Sequence, residues 1–257
     1  MGKDSYFCQM KKKLFHFIDT TDSTNNFLKK LAEDKLLSNN NLPEFYTVYT
    51  AEQTHGRGQG TNTWESSHGA NILASIYFTP PLPPVSQFIF NQYFSLAIRK
   101  LLLRYLPKVQ IKWPNDIYVG SDKIGGILIE HFLEGDCISR TIAGIGINVN
   151  QVQFSSSIPN PISLKMITEK NYDTKSLLEK FIDILKQDYH LLNIQNHLIL
   201  KNEYLNALYQ YQEKHLYLIN GIETMKIITG IDLYGRLLLM DEKGNISSFG
   251  LKEVKFL

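Results

Sequence analysis

The 257-residue sequence predicts an α+β fold with a small all-β appendage on its C-terminal side, and three observations carry that expectation. Short apolar runs of strand length and amphipathic stretches of helical spacing share the first 209 residues. Several of those strands follow one another through hairpin turns. The character then changes near Gln210, after which Asn220-Gly221, Gly235, Gly244 and Gly250 punctuate only short strand-like segments. A hydrophobic fraction of 43%, with 12% aromatic residues, supplies a core. The expected division is a mixed domain at 1–209 and a β domain at 210–257. The second is too short for a robust core of its own and is expected to dock on the first.

Taken in order, the apolar run 14–18 reads as a first strand, broken by the turn and N-cap chemistry of Asp19 through Thr24. Phe27, Leu28, Leu31, Ala32 and Leu36 then recur at helical spacing, which places Ser23, Thr24 and Asn25 at a helix N-terminus. Strands are expected at 45–50 and 71–78, the latter ended by Pro80-Pro81 and Pro83-Pro84. Residues 87–106 form a long helix with Phe90, Tyr93, Phe94, Ala97, Leu101 and Tyr105 on its apolar stripe. Val109, Ile111 and Trp113 share one face of the next strand, and Pro114-Asn115-Asp116 turns the chain after it. Strands at 117–119, 123–131 and 137–149 follow, joined by tight turns at 120–122 and 134–136. Residues 151–161 are a polar loop, and 175–193 and 198–209 are helices.

Formal charge is +2, which argues against the broad basic field of a nucleic-acid binder. Lys11, Lys12 and Lys13 read as a solvated strand entry. Cys8 and Cys137 are isolated thiols, consistent with a reduced, cytoplasmic setting. No stretch has the length of a membrane span, and residues 1–22 lack the apolar core of a secretion signal.

The densest cluster of candidate functional residues is the loop from Gln53 to Trp64. Gly56, Gly58 and Gly60 let backbone N–H groups approach a ligand, and Arg57 carries a permanent cation with a two-pronged donor set. Gln53 offers an amide, and Trp64 a flat face for a purine. A flexible surface connection is the plain alternative. The loop is expected to be mobile when empty, because its glycines offer little to pack. Lys112 and Lys123 bracket a tight hairpin that brings their ammonium groups near each other. With Arg57 they form a cationic set without compensating acids, which suggests a polyanion such as a nucleoside triphosphate. Asp116 is a candidate for a magnesium ion or a proton. Asn148, if buried, needs partners that a base edge would supply. The plain readings are an N-cap for Ser23-Thr24-Asn25, a turn for Pro114-Asn115-Asp116, and a bulge for Gly144 and Gly146. The seven histidines and two cysteines show no metal-ligand spacing.

Asp22-Ser23-Thr24-Asn25, Gly56-Arg57-Gly58 with Trp64, Lys112-Trp113-Pro114-Asn115-Asp116, Lys123-Ile124-Gly125-Gly126 continuing to Glu130, and Gly144-Ile145-Gly146-Ile147-Asn148 occur in that order. Together they resemble the motif set of the biotin protein ligases. The resemblance covers roughly residues 14–165, with a C-terminal part similar to that family's SH3-like β-barrel. It implies a catalytic domain related to class II synthetases and lipoate ligases. The implied activity makes biotinyl-5′-AMP from biotin and ATP with Mg2+, then transfers biotin to one lysine of a biotin carboxyl carrier domain.

Carried over by motif, Ser23, Thr24, Asn25 and Gln53 would bind biotin, with Gly56, Gly58, Gln59 and Gly126 beside them. Arg57 and Lys123 would hold the biotin carboxylate and the α-phosphate. Trp64, Lys112, Asn115 and Asn148 would face the adenylate. Asp116, with Arg57 and Lys123, would be catalytic and would be the residue to meet the metal. Many members carry further arginines where this chain has Gln59 and Asn62, so the adenylate would rely more heavily on Arg57 and Lys123. The twenty-odd residues before Ser23 are too few for a helix-turn-helix, so the resemblance is to the monofunctional type that does not bind DNA. It leaves monomer and homodimer open. The competing readings are a lipoate or octanoate ligase or transferase of the same fold, and a non-catalytic nucleic-acid-binding module built on Trp64 and Trp113.

Overall fold

The protein is described here from a computed structural model covering residues 14–38 and 40–257. Cys8, the Lys11 to Lys13 run and the N-terminal signal positions lie outside those residues. The first part is a seven-stranded mixed sheet in the order β1-β2-β3-β7-β6-β5-β4. Its strands are β1 (Phe15–Thr21), β2 (Thr47–Gln53), β3 (Ile72–Phe78), β4 (Gln110–Lys112), β5 (Asp116–Val119), β6 (Asp122–Glu134) and β7 (Cys137–Ile147). β1 runs parallel to β2 through the crossover helix α1 (Thr24–Leu37), and every other neighbouring pair is antiparallel.

β3 reads as a continuous apolar run because both faces of the sheet are covered there. Its Tyr77 joins Leu28, Ala32, Val48 and Ile142 under α1. Its Ala74, Ile76 and Phe78 face the larger core. That core is filled by α2 (Gln87–Leu102), α4 (Thr174–Asp188) and α5 (His197–Ala207). Phe78, Phe90, Phe94 and Phe181 meet mainly edge-on, the preferred geometry for aromatic rings in a packed interior.

Several boundaries differ from the sequence expectation: the strand expected at 45–50 runs Thr47–Gln53, and the helix expected at 175–193 ends at Asp188. β1 does not stop at Ile18 but continues through Thr21, because parallel pairing with β2 outweighs the turn preference of its polar end. Thr20 pairs with Glu52 and Thr21 with Gln53. Thr50 Oγ1 also donates to Asp19 O at 2.9 Å. The long helix ends at Leu102; its apolar stripe continues because Tyr105 and Leu106 pack on the core from a following turn. A short helix α3 (Leu164–Thr168), absent from the sequence reading, is capped by Ser163, whose hydroxyl accepts from the Met166 amide at 3.2 Å.

The chain then forms a five-stranded antiparallel sheet, β11-β10-β9-β8-β12. Its strands are β8 (Lys214–Ile219), β9 (Ile222–Ile231), β10 (Leu237–Met240), β11 (Ile246–Phe249) and β12 (Val254–Phe256). As expected for so small a sheet, it docks on the main body. The Trp113 indole donates to Gly235 O at 2.8 Å. Gly235 adopts a left-handed φ of +83°, and a β-carbon there would collide with the Phe88 ring. Tyr118 stacks on Tyr209, centroids 5.4 Å apart, and Tyr209 leads on to Phe256 of β12.

Two outcomes follow from this packing. Gly235→Ala combines a forbidden φ with the Phe88 collision, and urea unfolding should show a loss of about 2 kcal/mol. A loss below about 0.5 kcal/mol would mean the two sheets are not tightly docked. His131 of β6 is packed edge-on against Phe90 at 5.7 Å and hydrogen-bonded to Thr141 Oγ1 at 2.7 Å. Burial pushes its imidazole down to about 4. An unfolded chain takes up that proton near pH 6.5, so the stabilisation is complete above 6.5 and is lost as pH falls to about 4. The loss approaches about 3 kcal/mol, and His131→Gln should flatten the stability profile across that window.

Candidate active site

The site is built on the middle of the sheet, where β6 and β7 pair. Gly126 stands directly opposite Gly146, and Leu128 opposite Gly144. Because side chains alternate along a strand, Gly126, Leu128 and Glu130 share one face of β6. The glycines leave a strip there with no side chains, and other elements settle onto it. The Trp64 indole lies on Gly146 and Gly126, and Asn25 Oδ1 lies on Gly144. A β-carbon at either 144 or 146 would collide with the group above it. The β3–β7 register is unbroken from Ile72↔Ile147 to Phe78↔Thr141, so the glycines do not mark a bulge. They make a floor.

The N-terminus of α1 forms one wall. Ser23, Thr24 and Asn25 are all buried. The plain N-cap reading fails, because Ser23 makes no side-chain cap bond. Gln53, at the end of the neighbouring β2, does that work: its Oε1 accepts from the Thr24 amide at 2.8 Å and from Thr24 Oγ1 at 3.1 Å. Ser75 Oγ contacts Thr24 Oγ1 at 2.7 Å and Asn25 Oδ1 at 2.5 Å. Asn25 Nδ2 donates to Glu130 Oε2 at 2.8 Å and more weakly to Leu128 O at 3.3 Å.

The Gly-rich loop forms another wall, and Gly56 and Gly58 are closely packed, whereas Gly60 is exposed. It returns on itself through an Arg57↔Thr63 bridge, with Gly58 N on Asn62 O at 2.8 Å and Trp64 N on Gly56 O at 2.9 Å. Gly56 is buried, and a β-carbon there would strike the Trp64 carbonyl.

The cations are also compensated, contrary to the sequence expectation. Arg57 pairs with Glu130 at 3.1 Å and also donates to Asn26 Oδ1 at 2.8 Å. Lys123 pairs with Asp116 at 2.7 Å. Glu130 reaches Arg57 only through the fold, from a strand 73 positions away, whereas Asp116 lies in the same hairpin as Lys123. Lys112 is different. It makes no ion pair among the described residues, and its Nζ sits 4.7 Å from the Tyr118 ring centre and 5.1 Å from that of Phe256. Burial lowers its pKa, Asp116 opposes that shift, and the nearby Lys123 charge adds to it.

Two cavities adjoin here. The first, of about 200 Å³, contains every residue expected from the sequence except Gly56, Lys112 and Asn148. The second, of about 570 Å³, is lined by Lys112 and Asn148 together with Tyr118, Phe154 and Pro159. Trp64, Asp116 and Lys123 border both. The Trp64 indole nitrogen is buried without a partner. Lys123 Nζ stands 5.8 Å from the Trp64 ring centre, so the junction carries a cation and an aromatic face together. Asn148 has protein partners: its amide donates to Ile162 O at 3.1 Å, which closes the second cavity's edge. Asn115 Nδ2 donates to Ile127 O at 2.6 Å and fixes the turn at the mouth of the first. Among the described residues, no three His, Cys, Asp or Glu side chains gather as a metal cage. Sequence reasoning gave no role to Glu130, Asn26 or Ser75. The two-residue spacing of Gly126, Leu128 and Glu130 was the available signal for the first.

Residues 17–148, slightly more than half of the chain, match the model of the biotin/lipoate A/B protein ligase family. A bifunctional ligase/repressor BirA of Bacillus spizizenii is 37% identical over 116 residues, covering 45% of this chain and 36% of that protein. The human biotin–protein ligase is 31% identical over 221 residues, covering 77% of this chain and 29% of that protein. The chain thus spans about a third of the length of these curated relatives. Among solved structures, the biotin protein ligase from Aquifex aeolicus in complex with biotin and ATP superposes with a TM-score of 0.76 at 24% identity, over 95% of this chain and 98% of that one. That from Leishmania major in complex with biotinyl-5-AMP gives 0.62 at 22% identity, over 92% and 98%. The shared fold includes the C-terminal sheet as an SH3-like unit, and with the motif order and the family match the chain belongs to the biotin/lipoate A/B protein ligase family.

Proposed function

We propose that the protein is a biotin protein ligase that forms biotinyl-5′-AMP and transfers biotin to a lysine of a biotin carboxyl carrier domain in the cytoplasm. Residues 1–209 would be the catalytic part and 210–257 its docked support. The observation that carries this reading is the pair of adjoining cavities joined at Trp64, Asp116 and Lys123. The first has the polar end and flat apolar floor suited to a bicyclic urea with an acyl chain. The second has an aromatic wall and a half-buried lysine suited to a nucleotide.

In the first step a carboxylate oxygen of biotin would attack the α-phosphorus of ATP, and the bond to pyrophosphate would break. Both reactants are anions, so the chemistry needs a cation between them and a geometry that holds them in line. Lys123 stands at the junction and would supply that charge once ligand draws it from Asp116. Lys112, short of a counter-ion in a half-buried place, would gain one in the triphosphate. Ser23, Thr24, Asn25, Gln53, Gln59 and Gly126 would hold biotin, with the backbone of Gly56 and Gly58 closing over it. Trp64, Asn115 and Asn148 would border the adenylate. In the second step the acceptor lysine amine would attack the acyl carbon, AMP would leave, and Asp116 would take the released proton. Mg2+ arriving with the nucleotide needs few protein ligands, and Asp116, which borders both cavities, would be the one that meets it.

Mass spectrometry of a purified carrier domain incubated with biotin, ATP and this protein should show one biotin on one lysine. A product with lipoate and none with biotin would reverse the assignment. Lys123→Ala should lower biotin-dependent pyrophosphate release about a hundredfold with the thermal midpoint unchanged. Gly146→Ala should lift Trp64 from the floor and weaken biotin binding about tenfold, measured by calorimetry; unaltered binding would mean the floor does not face the ligand.

A further inference from the structure

We propose that Glu130 is a positioning residue that latches the Gly-rich hairpin 56–64 onto the sheet and α1, and that Arg57 is the hairpin's half of that latch. The proposal rests on the biotin ligase reading for its ligand but not for its geometry. Glu130 lies on the floor face of β6, beyond Gly126 and Leu128. Its Oε1 accepts from Arg57 Nη2 at 3.1 Å, and its Oε2 accepts from Arg57 Nη1 at 3.3 Å. The same Oε2 accepts from Asn25 Nδ2 at 2.8 Å. Arg57 Nη1 also donates to Asn26 Oδ1 at 2.8 Å, and Asn26 in turn donates to Asp22 Oδ2 at 2.7 Å. One carboxylate and one guanidinium therefore tie a strand, a helix and a loop together.

Among the described residues, Arg57 makes all the side-chain hydrogen bonds by which positions 56–64 hold the rest of the chain. Within the hairpin, a narrow ladder resists opening: the Arg57↔Thr63 bridge, the Gly58 and Trp64 amide bonds and a longer Asn62 N to Gln59 O bond of 3.2 Å, beside the packing of Trp64 on the glycine floor. The Arg57 and Glu130 side chains are 40% and 24% exposed, so the pair is partly sheltered and its two-pronged geometry is the strong form of a charge pair. A substrate carboxylate taking Arg57 for itself would leave Glu130 half-buried beside a second anion, an unfavourable exchange. Arg57 is better placed to hold the hairpin than to hold the substrate. Through Asn25, the same carboxylate also orients a side chain of the first cavity.

The test is a double-mutant cycle on the full chain, read two ways: amide hydrogen exchange at Gly58 and Trp64 without ligand, and calorimetric binding of biotin without ATP. Glu130→Gln and Arg57→Ala should each speed exchange at both amides about tenfold and weaken biotin about tenfold. The double variant should do no worse than the poorer single. Glu130→Gln with unchanged exchange and equal or tighter biotin binding would overturn the latch and restore Arg57 as a free clamp. Losses that multiply in the double variant would also overturn it. Asn26→Ala, a milder change on the first turn of α1, should speed the same two amides severalfold; unchanged exchange there would count against the latch even if Glu130→Gln folded poorly. Because exchange needs no ligand, failure of the biotin reading would leave that arm of the cycle intact.

Discussion

Gly126 and Gly146 face each other on two neighbouring strands of the sheet, and the absence of side chains at that pair is the constraint from which the site follows. A sheet surface normally projects side chains several ångströms above the backbone. Here the backbone itself is the surface, so an indole and a carboxamide can rest on it. The β3–β7 and β6–β7 registers are unbroken through this region, which makes the strip flat as well as bare; the one irregularity nearby is on the β5 side of β6, beside Gly125. Glycine in a strand interior weakens the strand, but these strands are central in the sheet and paired on both sides, which offsets that loss.

On this floor the polar groups are arranged in pairs. Arg57 meets Glu130, Lys123 meets Asp116, and Gln53 caps Thr24. Pairing answers a general difficulty: a half-buried charge with no partner is costly, and a pair recovers much of that penalty. It also divides the charges by role. The Arg57 pair joins three backbone segments, so breaking it disturbs architecture. The Lys123 pair sits between two cavities, so an arriving anion can compete for the lysine while Asp116 remains solvated at the rim. Lys112 depends instead on the faces of Tyr118 and Phe256.

Much of the site was legible in the sequence because glycines, proline and tryptophan are informative residue types. Gly56, Gly58, Gly126, Gly144 and Gly146 each correspond to a close approach in three dimensions, and the ordered motifs located the cavities before the fold was known. What could not be read were relations between segments far apart in the chain. Glu130 and Arg57 are separated by 73 positions. A loop cation therefore looked uncompensated when its partner lay on a strand whose neighbours only the sheet order defines. The same reason hid Gln53 as the cap of α1: sequence rules look for the cap within the helix's own first turn, whereas parallel pairing of β1 and β2 delivers it from the next strand. The extra length of β1 was concealed likewise, since its polar residues favour a turn in isolation and a strand only beside β2.

The C-terminal sheet belongs to the same argument, because it touches the site through the segment that carries the most distinctive motif. Trp113 turns its ring into the core and its indole nitrogen to Gly235, while its neighbour Lys112 turns the other way, beneath Phe256. Lys112 ends β4 and Trp113 opens the turn directly after it, so fixing Trp113 restrains its neighbour. Docking of the second sheet through Trp113 therefore sets the position of Lys112 at the second cavity. A region too small to hold a large core acts on the site by burying one face of a three-residue strand, β4, and leaving a lysine on the other face with aromatic walls and no carboxylate within ion-pair distance among the described residues. That environment disfavours the ammonium and favours any anion that enters. The second sheet thus helps shape the electrostatics of the larger cavity while contributing a single ring, Phe256, beside its lysine.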